Sequence, residues 1–148
     1  RKETVLSAFA IPIWDQPALP VVGADAAFPV RRIYCVGRNY AAHAREMGHD
    51  PDREPPFFFT KPGNAVVANG STVPYPDHTA DMHPEVEMVV ALAEGGYQIP
   101  KEDALSKIYG YCVGLDFTRR DMQSGFKELG RPWDICRNFS QPSHIVRI

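Results

Sequence analysis

The sequence predicts an α+β fold that is mainly β and forms one compact unit. Short runs of branched and aromatic residues recur along the chain and end at glycine or proline, as strands do. Helix patterns are confined to a few short segments between these runs. The 148 residues, 44% of them hydrophobic, can form one sizeable core but are few for two independent domains.

The chain opens with a segment that cannot form a long helix. Pro12, Pro17 and Pro20 break any helix there, and Gly23 favours a turn. We therefore expect residues 1–27 to form an extended arm and residues 28–148 to form the main unit. The first residues also lack the pattern of a secretory signal peptide.

The main unit is expected to alternate strands with short helices. Strands are predicted in "RRIYCVG", "FFFTKP", "EVEMVVALAEGG" and "IYGYCVGLDFT". The third of them ends in a Gly-Gly turn. Helices are predicted in "NYAAHAREMG", around residues 101–107, and in "RRDMQSGFKELG", which Gly130 closes. Residues 88–93 are apolar without alternation, which favours a strand covered on both faces.

Composition excludes several functional classes. The net charge of -2 comes from 16 basic and 18 acidic residues without a basic stripe, so nucleic acid is not an expected partner. No apolar run approaches the roughly 20 residues that cross a bilayer, so no membrane is expected either. Cys35, Cys112 and Cys136 are an odd number without CxxC spacing, which indicates free thiols in a reducing cytoplasm.

Two carboxylates stand at the start of an apolar strand. Glu85 and Glu87 are two residues apart and project from the same face, and Asp116 lies where the next long strand ends. An ordinary polar face of a half-buried strand is one interpretation, and it is the usual one for two glutamates at this spacing. The other is a site for a hard divalent cation such as Mg²⁺ or Mn²⁺, which prefers oxygen ligands. Spacing alone leaves both open.

Five stretches of the chain form a specific combined pattern: "FPVRRIYCVGRNYAAHAREMG", "PPFFFTKP", "HPEVEMVVAL", "IYGYCVGLDFTRRDMQ" and "GRPWD". In their order and spacing they resemble the fumarylacetoacetate hydrolase family, most closely its bacterial fumarylpyruvate hydrolase branch. The resemblance implies a mixed β-roll with peripheral helices, of which residues 28–148 would be the N-terminal portion of the catalytic domain. It also implies a homodimer.

The implied activity is hydrolysis of a carbon-carbon bond in a β-diketo acid. Fumarylpyruvate, cleaved to fumarate and pyruvate in gentisate-type aromatic catabolism, is the expected substrate. By this resemblance Glu85, Glu87 and Asp116 hold Mg²⁺ or Mn²⁺, which would polarise the 2-oxo acid and stabilise the departing enolate. His43 and Glu46, three apart on the predicted helix, would be the catalytic pair, with Glu46 orienting His43 and His43 deprotonating water.

The resemblance also implies a set of substrate-binding residues. Arg120 and Gln123 match positions that meet the substrate carboxylate, which a guanidinium can bind through two hydrogen bonds. Lys61 matches a lysine near the site, although a lone lysine is more often a solvated surface charge. Arg137 stands where the family carries a lysine.

The tail departs from the family pattern. Arg137 cannot transfer protons as a lysine can, and Ser140 replaces an aspartate. The family's later strands are not found in the chain, which we interpret as an incomplete or altered copy. The sequence therefore leaves two functions open: a hydrolase, or a truncated and catalytically silent homologue that binds a small acid or acts only within an assembly.

Overall fold

The computed structural model describes residues 9–37, 39–40, 57–139 and 143–145. The described residues form three small β-sheets, with short helices at their edges. This agrees with the predicted α+β fold dominated by strands. No helix in this part of the chain is long and apolar enough to cross a membrane.

The N-terminal arm folds back on itself as a short hairpin. Strands β1 (Ala18–Pro20) and β2 (Ala27–Pro29) pair antiparallel, and Gly23 takes a left-handed φ of 77° in the predicted turn. Leu19 and Val30 are buried against each other and form a small core cluster. The hairpin spans the expected boundary at residue 27, and that boundary stays a prediction.

A second hairpin contains two strands that the sequence predicts almost to the residue. Strand β3 (Arg32–Gly37) pairs antiparallel with β4 (Phe57–Pro62). Cys35 lies opposite Phe59 and Ile33 opposite Lys61, so these four side chains share one face. The helix predicted after β3 lies almost entirely outside the described residues.

The third sheet carries the candidate site. Its strand order is β5 (Val66–Ala68), β8 (Ser143–Ile145), β7 (Ile108–Arg119) and β6 (Met82–Leu92). The long strands β6 and β7 are antiparallel, and β8 was not predicted from the sequence. The predicted helix around residues 101–107 is a 3-10 helix (Lys101–Lys107) between β6 and β7.

The two faces of the β6–β7 pair differ, which corrects one expectation. Glu85, Glu87, Val89 and Ala91 point to the partly or fully buried face, whereas the residues between them are exposed. Met88, for example, is 64% exposed. The prediction that β6 is covered on both faces is therefore wrong for the described chain, because no described element packs over the second face.

Two helices follow β7. Helix α1 (Arg120–Glu128) was predicted, and Gly130 closes it with a left-handed φ of 63°. Asp121 attaches the start of α1 to the loop before β6. The Asp121 carboxylate accepts hydrogen bonds from the Thr79 hydroxyl (2.6 Å) and the Ala80 backbone N–H (2.9 Å). The one-turn helix α2 (Asp134–Arg137) was not predicted, and it brings Arg137 to the site.

Candidate functional site: a carboxylate cluster bridged by Arg137

Strands β6 and β7 place three carboxylates on one face. Glu85 is directly opposite Asp116, and Glu87 is opposite Gly114. Because alternate residues of a strand share a face, the three carboxylates point to the same side of the sheet. The shared face follows the sequence prediction, whereas a metal-binding role stays a prediction.

Arg137 joins two of these carboxylates. Its Nη1 donates to Glu85 Oε2 at 2.7 Å and to Asp116 Oδ2 at 2.6 Å. The guanidinium carbon also lies 4.8 Å from the centre of the Phe59 ring, a cation-π distance. Arg137 is only 7% exposed, so it is an internal cation of the site.

Lys61 is a second buried cation. It is 3% exposed, and its Nζ lies 2.7 Å from Asp116 Oδ1 and donates to the backbone carbonyl of Arg137 at 2.6 Å. The contact with Asp116 lacks hydrogen-bond geometry and is an ion pair. The common interpretation of a lone lysine as a solvated surface charge is therefore wrong here. Lys61 thus contacts both the Asp116 carboxylate and Arg137, the last residue of α2.

Arg120 supplies a third cation at the rim. Its Nη2 contacts Glu85 Oε1, its Nη1 donates to the buried Gln123, and its Nε donates to His83 Nδ1 at 3.4 Å. Burial, followed by the neighbouring Arg137 charge, lowers the pKa of the Arg120 guanidinium. Arg120 and Gln123 thus lie together beside the carboxylates, and their substrate-binding role stays a prediction.

Glu87 has a different partner. The Tyr40 hydroxyl donates to Glu87 Oε2 at 3.2 Å. Tyr40 is 48% exposed, although aromatic side chains more often belong to the core. No local pattern could have identified this contact, which joins residues 47 positions apart.

Cys35 was also missed, although strand alternation could have placed it. It shares a face of the β3–β4 hairpin with Lys61. Burial, followed by the Asp116 charge, raises the pKa of its thiol to about 11, while Lys61 and Arg137 act in the opposite direction. A thiol with this pKa is protonated at neutral pH and is therefore a poor nucleophile.

The oxygen ligands of the cluster are of the type that a hard divalent ion prefers. In this structure, however, basic side chains of the chain itself pair with those oxygens. Three carboxylates on one half-buried face are the ligands that Mg²⁺ and Mn²⁺ prefer. However, no three acidic, histidine or cysteine side chains of the described part converge to hold an ion. Arg137 instead donates hydrogen bonds to one oxygen of Glu85 and one oxygen of Asp116. An ion that uses these oxygens requires Arg137 to move.

His43 and Glu46, the predicted catalytic pair, lie outside the described residues. Their roles stay predictions. Tyr40, a few residues before them, contacts Glu87, so the chain leading into that segment does reach the carboxylate cluster.

The sheet and its carboxylate cluster define a class of protein. Residues 32–145 match the family described as fumarylacetoacetate (FAA) hydrolase, C-terminal. The chain therefore belongs to this family, whose named members are enzymes such as hydrolases and tautomerases. This confirms the resemblance stated from the sequence.

Individual relatives agree with this assignment. A crystal structure of fumarylpyruvate hydrolase from Pseudomonas aeruginosa in complex with Mn²⁺ and pyruvate matches with a TM-score of 0.87 and 51% identity, over 95% of this chain and 62% of that one. This similarity confirms the predicted fold.

Curated sequences include two different activities. A fumarylpyruvate hydrolase of a Ralstonia species is 40% identical over 66% of this chain and 52% of its own length. The mitochondrial oxaloacetate tautomerase of Arabidopsis thaliana is 39% identical over 72% of this chain and 47% of its own length. The chain thus spans about half the length of these relatives.

Proposed function

We propose that this chain belongs to a divalent-metal-dependent enzyme that binds a 2-oxo acid and cleaves a carbon-carbon bond in a β-diketo acid such as fumarylpyruvate. The observation that carries the proposal is the half-buried cluster of three carboxylates, Glu85, Glu87 and Asp116, beside the paired Arg120 and Gln123. Support for the substrate class comes from the relatives, because fumarylpyruvate and oxaloacetate are both 2-oxo acids.

The described residues suggest a division of tasks. The carboxylates would hold Mg²⁺ or Mn²⁺, which supplies Lewis-acid polarisation of a 2-oxo group. Arg120 and Gln123 would bind the substrate carboxylate, because a guanidinium and an amide N–H group both donate hydrogen bonds to it. Lys61 would orient the Asp116 carboxylate through their 2.7 Å contact. Lys61 and Arg137 could also contribute to substrate binding, as the sequence predicted.

Two further assignments belong to the same proposal. His43, oriented by Glu46, would accept the proton of the attacking water. A reducing cytoplasm is supported by the free cysteines Cys35, Cys112 and Cys136. Gentisate-type catabolism and a homodimer stay predictions.

A catalytically silent homologue is the second candidate, and Arg137 favours it. Its guanidinium pairs with Glu85 and Asp116 at the same time. An arginine stays charged at all physiological pH values and cannot replace a lysine in proton transfer. A chain with this arrangement could bind an acid at Arg120 without converting it.

Calorimetry with Mn²⁺ followed by pyruvate tests the binding part of the proposal. We expect pyruvate to bind only when Mn²⁺ is present, and Glu87→Gln to abolish Mn²⁺ binding because it removes one anionic ligand. Unchanged Mn²⁺ affinity in Glu87→Gln would contradict the ligand assignment. The variant Glu128→Gln is the matched control, because Glu128 ends α1 away from the cluster.

Two optical assays separate the activities. Loss of the conjugated absorbance of fumarylpyruvate reports hydrolysis, and the enol absorbance of oxaloacetate reports tautomerisation. We expect hydrolysis by the chain to be weak and to rise in Arg137→Lys, which restores the lysine that the family carries. Substrate binding without turnover in both chains would favour the silent homologue, and faster tautomerisation than hydrolysis would reassign the reaction.

A further inference from the structure

The guanidinium of Arg137 lies between one oxygen of Glu85 and one oxygen of Asp116, two of the residues that would hold the ion. Nη1 carries two hydrogens, so it can donate to Glu85 Oε2 and Asp116 Oδ2 at once, at 2.7 and 2.6 Å. Mg²⁺ binds carboxylate oxygens at about 2.0–2.1 Å. One position between these oxygens cannot hold both the nitrogen and an ion.

Arg137 is held there from several sides. Its side chain stacks on the Phe59 ring at 4.8 Å, and its backbone carbonyl accepts a hydrogen bond from the buried Lys61. It also lies at the end of α2, a helix fixed by its own turn of hydrogen bonds. These contacts make the bridged arrangement a defined state of the site.

The charges around the site are already balanced. The three carboxylates Glu85, Glu87 and Asp116 are matched in number by three cations. These cations are Lys61, Arg120 and Arg137, and they pair with Glu85 and Asp116. A divalent ion would add two positive charges to this partly buried cluster, where charges are poorly screened. Departure of Arg137 would remove one charge and free both oxygens, whereas departure of Arg120 would free an oxygen of Glu85 alone.

We propose that Arg137 is a built-in competitor of the divalent ion, so that the chain has a closed state bridged by Arg137 and an open state that binds the ion. The proposal rests on the metal-binding role given to Glu85, Glu87 and Asp116 under the proposed function. The apparent ion affinity is then the affinity of the open state multiplied by the fraction of chains that are open. Removing Arg137 makes every chain open.

Calorimetric titration with Mn²⁺ alone tests this competition in four chains. We expect Arg137→Gln to bind Mn²⁺ about 10-fold or more tightly than the unmodified chain, as typical for coupled equilibria. Arg131→Gln, at an exposed position, should leave the affinity unchanged. Arg120→Gln also removes one positive charge but leaves the Arg137 bridge in place. Its Mn²⁺ affinity should therefore rise clearly less than that of Arg137→Gln.

The possible outcomes are distinct. Equal Mn²⁺ affinity in the unmodified chain and in Arg137→Gln would overturn the competition while leaving the metal site in place. Equal gains in Arg120→Gln and Arg137→Gln would also overturn it, because charge alone would then explain the change. Absence of Mn²⁺ binding in all four chains would overturn the metal site and the competition together.

A measurement on the unmodified chain complements the variants, because the ion is then titrated into the chain that carries Arg137. With ¹⁵N-labelled arginine, the side-chain signal of Arg137, assigned by its loss in Arg137→Lys, should shift on titration with diamagnetic Mg²⁺ as the bridge opens. The signal of Arg131 is the internal control. Calorimetry on the same chain shows whether Mg²⁺ binds saturably. If it does and the Arg137 signal does not move, the ion binds without displacing the bridge and the competition is wrong.

Discussion

Charged residues at the site are buried because they pair with residues that are far away in the sequence. Lys61 lies on β4, Asp116 on β7 and Arg137 on α2, yet all three meet in one buried group. Burying a charge is costly unless it is paired, so each member depends on the others. The cluster therefore contributes to stability in addition to any chemistry.

Lys61→Met tests that dependence. The change keeps the length of the side chain but leaves Asp116 Oδ1 without its ion pair and the Arg137 carbonyl without its donor. Because breaking a buried pair strands a charge, we expect the free energy of unfolding to fall by about 3 kcal/mol, measured by urea denaturation.

The matched control is Lys127→Met, at an exposed position in the last turn of α1. It should change the free energy of unfolding by no more than about 0.5 kcal/mol. A similar small effect from both substitutions would show that the contacts of Lys61 contribute little to stability.

At the scale of elements, the junction between β7 and α1 is fixed by Asp121. Its carboxylate accepts hydrogen bonds from Thr79, Ala80 and the backbone N–H of Met122, and the Arg120 backbone N–H donates to the Asp81 carbonyl at 2.8 Å. The loop before β6 is thus attached to the start of the helix that carries Arg120 and Gln123.

This attachment predicts a pH dependence. The hydrogen bond from Thr79, followed by that from Ala80, lowers the pKa of Asp121 below its usual value. A carboxyl group whose pKa is lower in the folded chain stabilises that chain at pH values above its unfolded pKa of about 3.9. This stabilisation is lost as the pH falls through the pKa of the folded chain. We expect Asp121→Asn to lower Tm at neutral pH, and the difference from the unmodified chain to shrink in acid.

Thermal unfolding followed by circular dichroism across this range measures the effect. The exposed Asp15→Asn is the control and should follow the unmodified chain at every pH. A Tm difference for Asp121→Asn that persists below the folded pKa would mean that the carboxylate charge is not its source.

At the scale of the whole molecule, one face of the long β6–β7 pair is apolar and open. Its exposed residues include Val86 (70% exposed) and Met88 (64%), together with Val90, Leu92, Tyr109, Tyr111 and Val113. A contiguous apolar surface of this kind on a sheet usually meets another surface. The homodimer expected from the sequence is one way to cover it.

We therefore expect the chain to sediment as a species heavier than its 16.5 kDa monomer. Met88→Lys should shift sedimentation towards the monomer, because a buried lysine on this face would lack a partner. Leu105→Lys, at an exposed position on the 3-10 helix outside this face, is the control. A monomer at all concentrations of the unmodified chain would contradict the prediction.

The sequence by itself determined the strands and the acidic face. Branched and aromatic runs ending at glycine or proline predicted β3, β4, β6 and β7, because local sterics and a period of two decide those elements. The same period placed Glu85 and Glu87 on one side, and Asp116 shares that side opposite Glu85. Asp116 was expected where its strand ends, but β7 continues to Arg119. Gly23 and Gly130 marked turns because their backbones take φ values that other residues avoid.

Only the tertiary structure decided what surrounds those carboxylates. The bridge from Arg137 to Glu85 spans 52 residues, and its position depends on α2, a single turn too short to leave a periodic signal. The burial of Lys61 and the exposure of Tyr40 and Met88 likewise depend on which elements pack together. Periodicity gives the direction of a side chain, whereas its partner and its burial depend on contacts between distant parts of the chain.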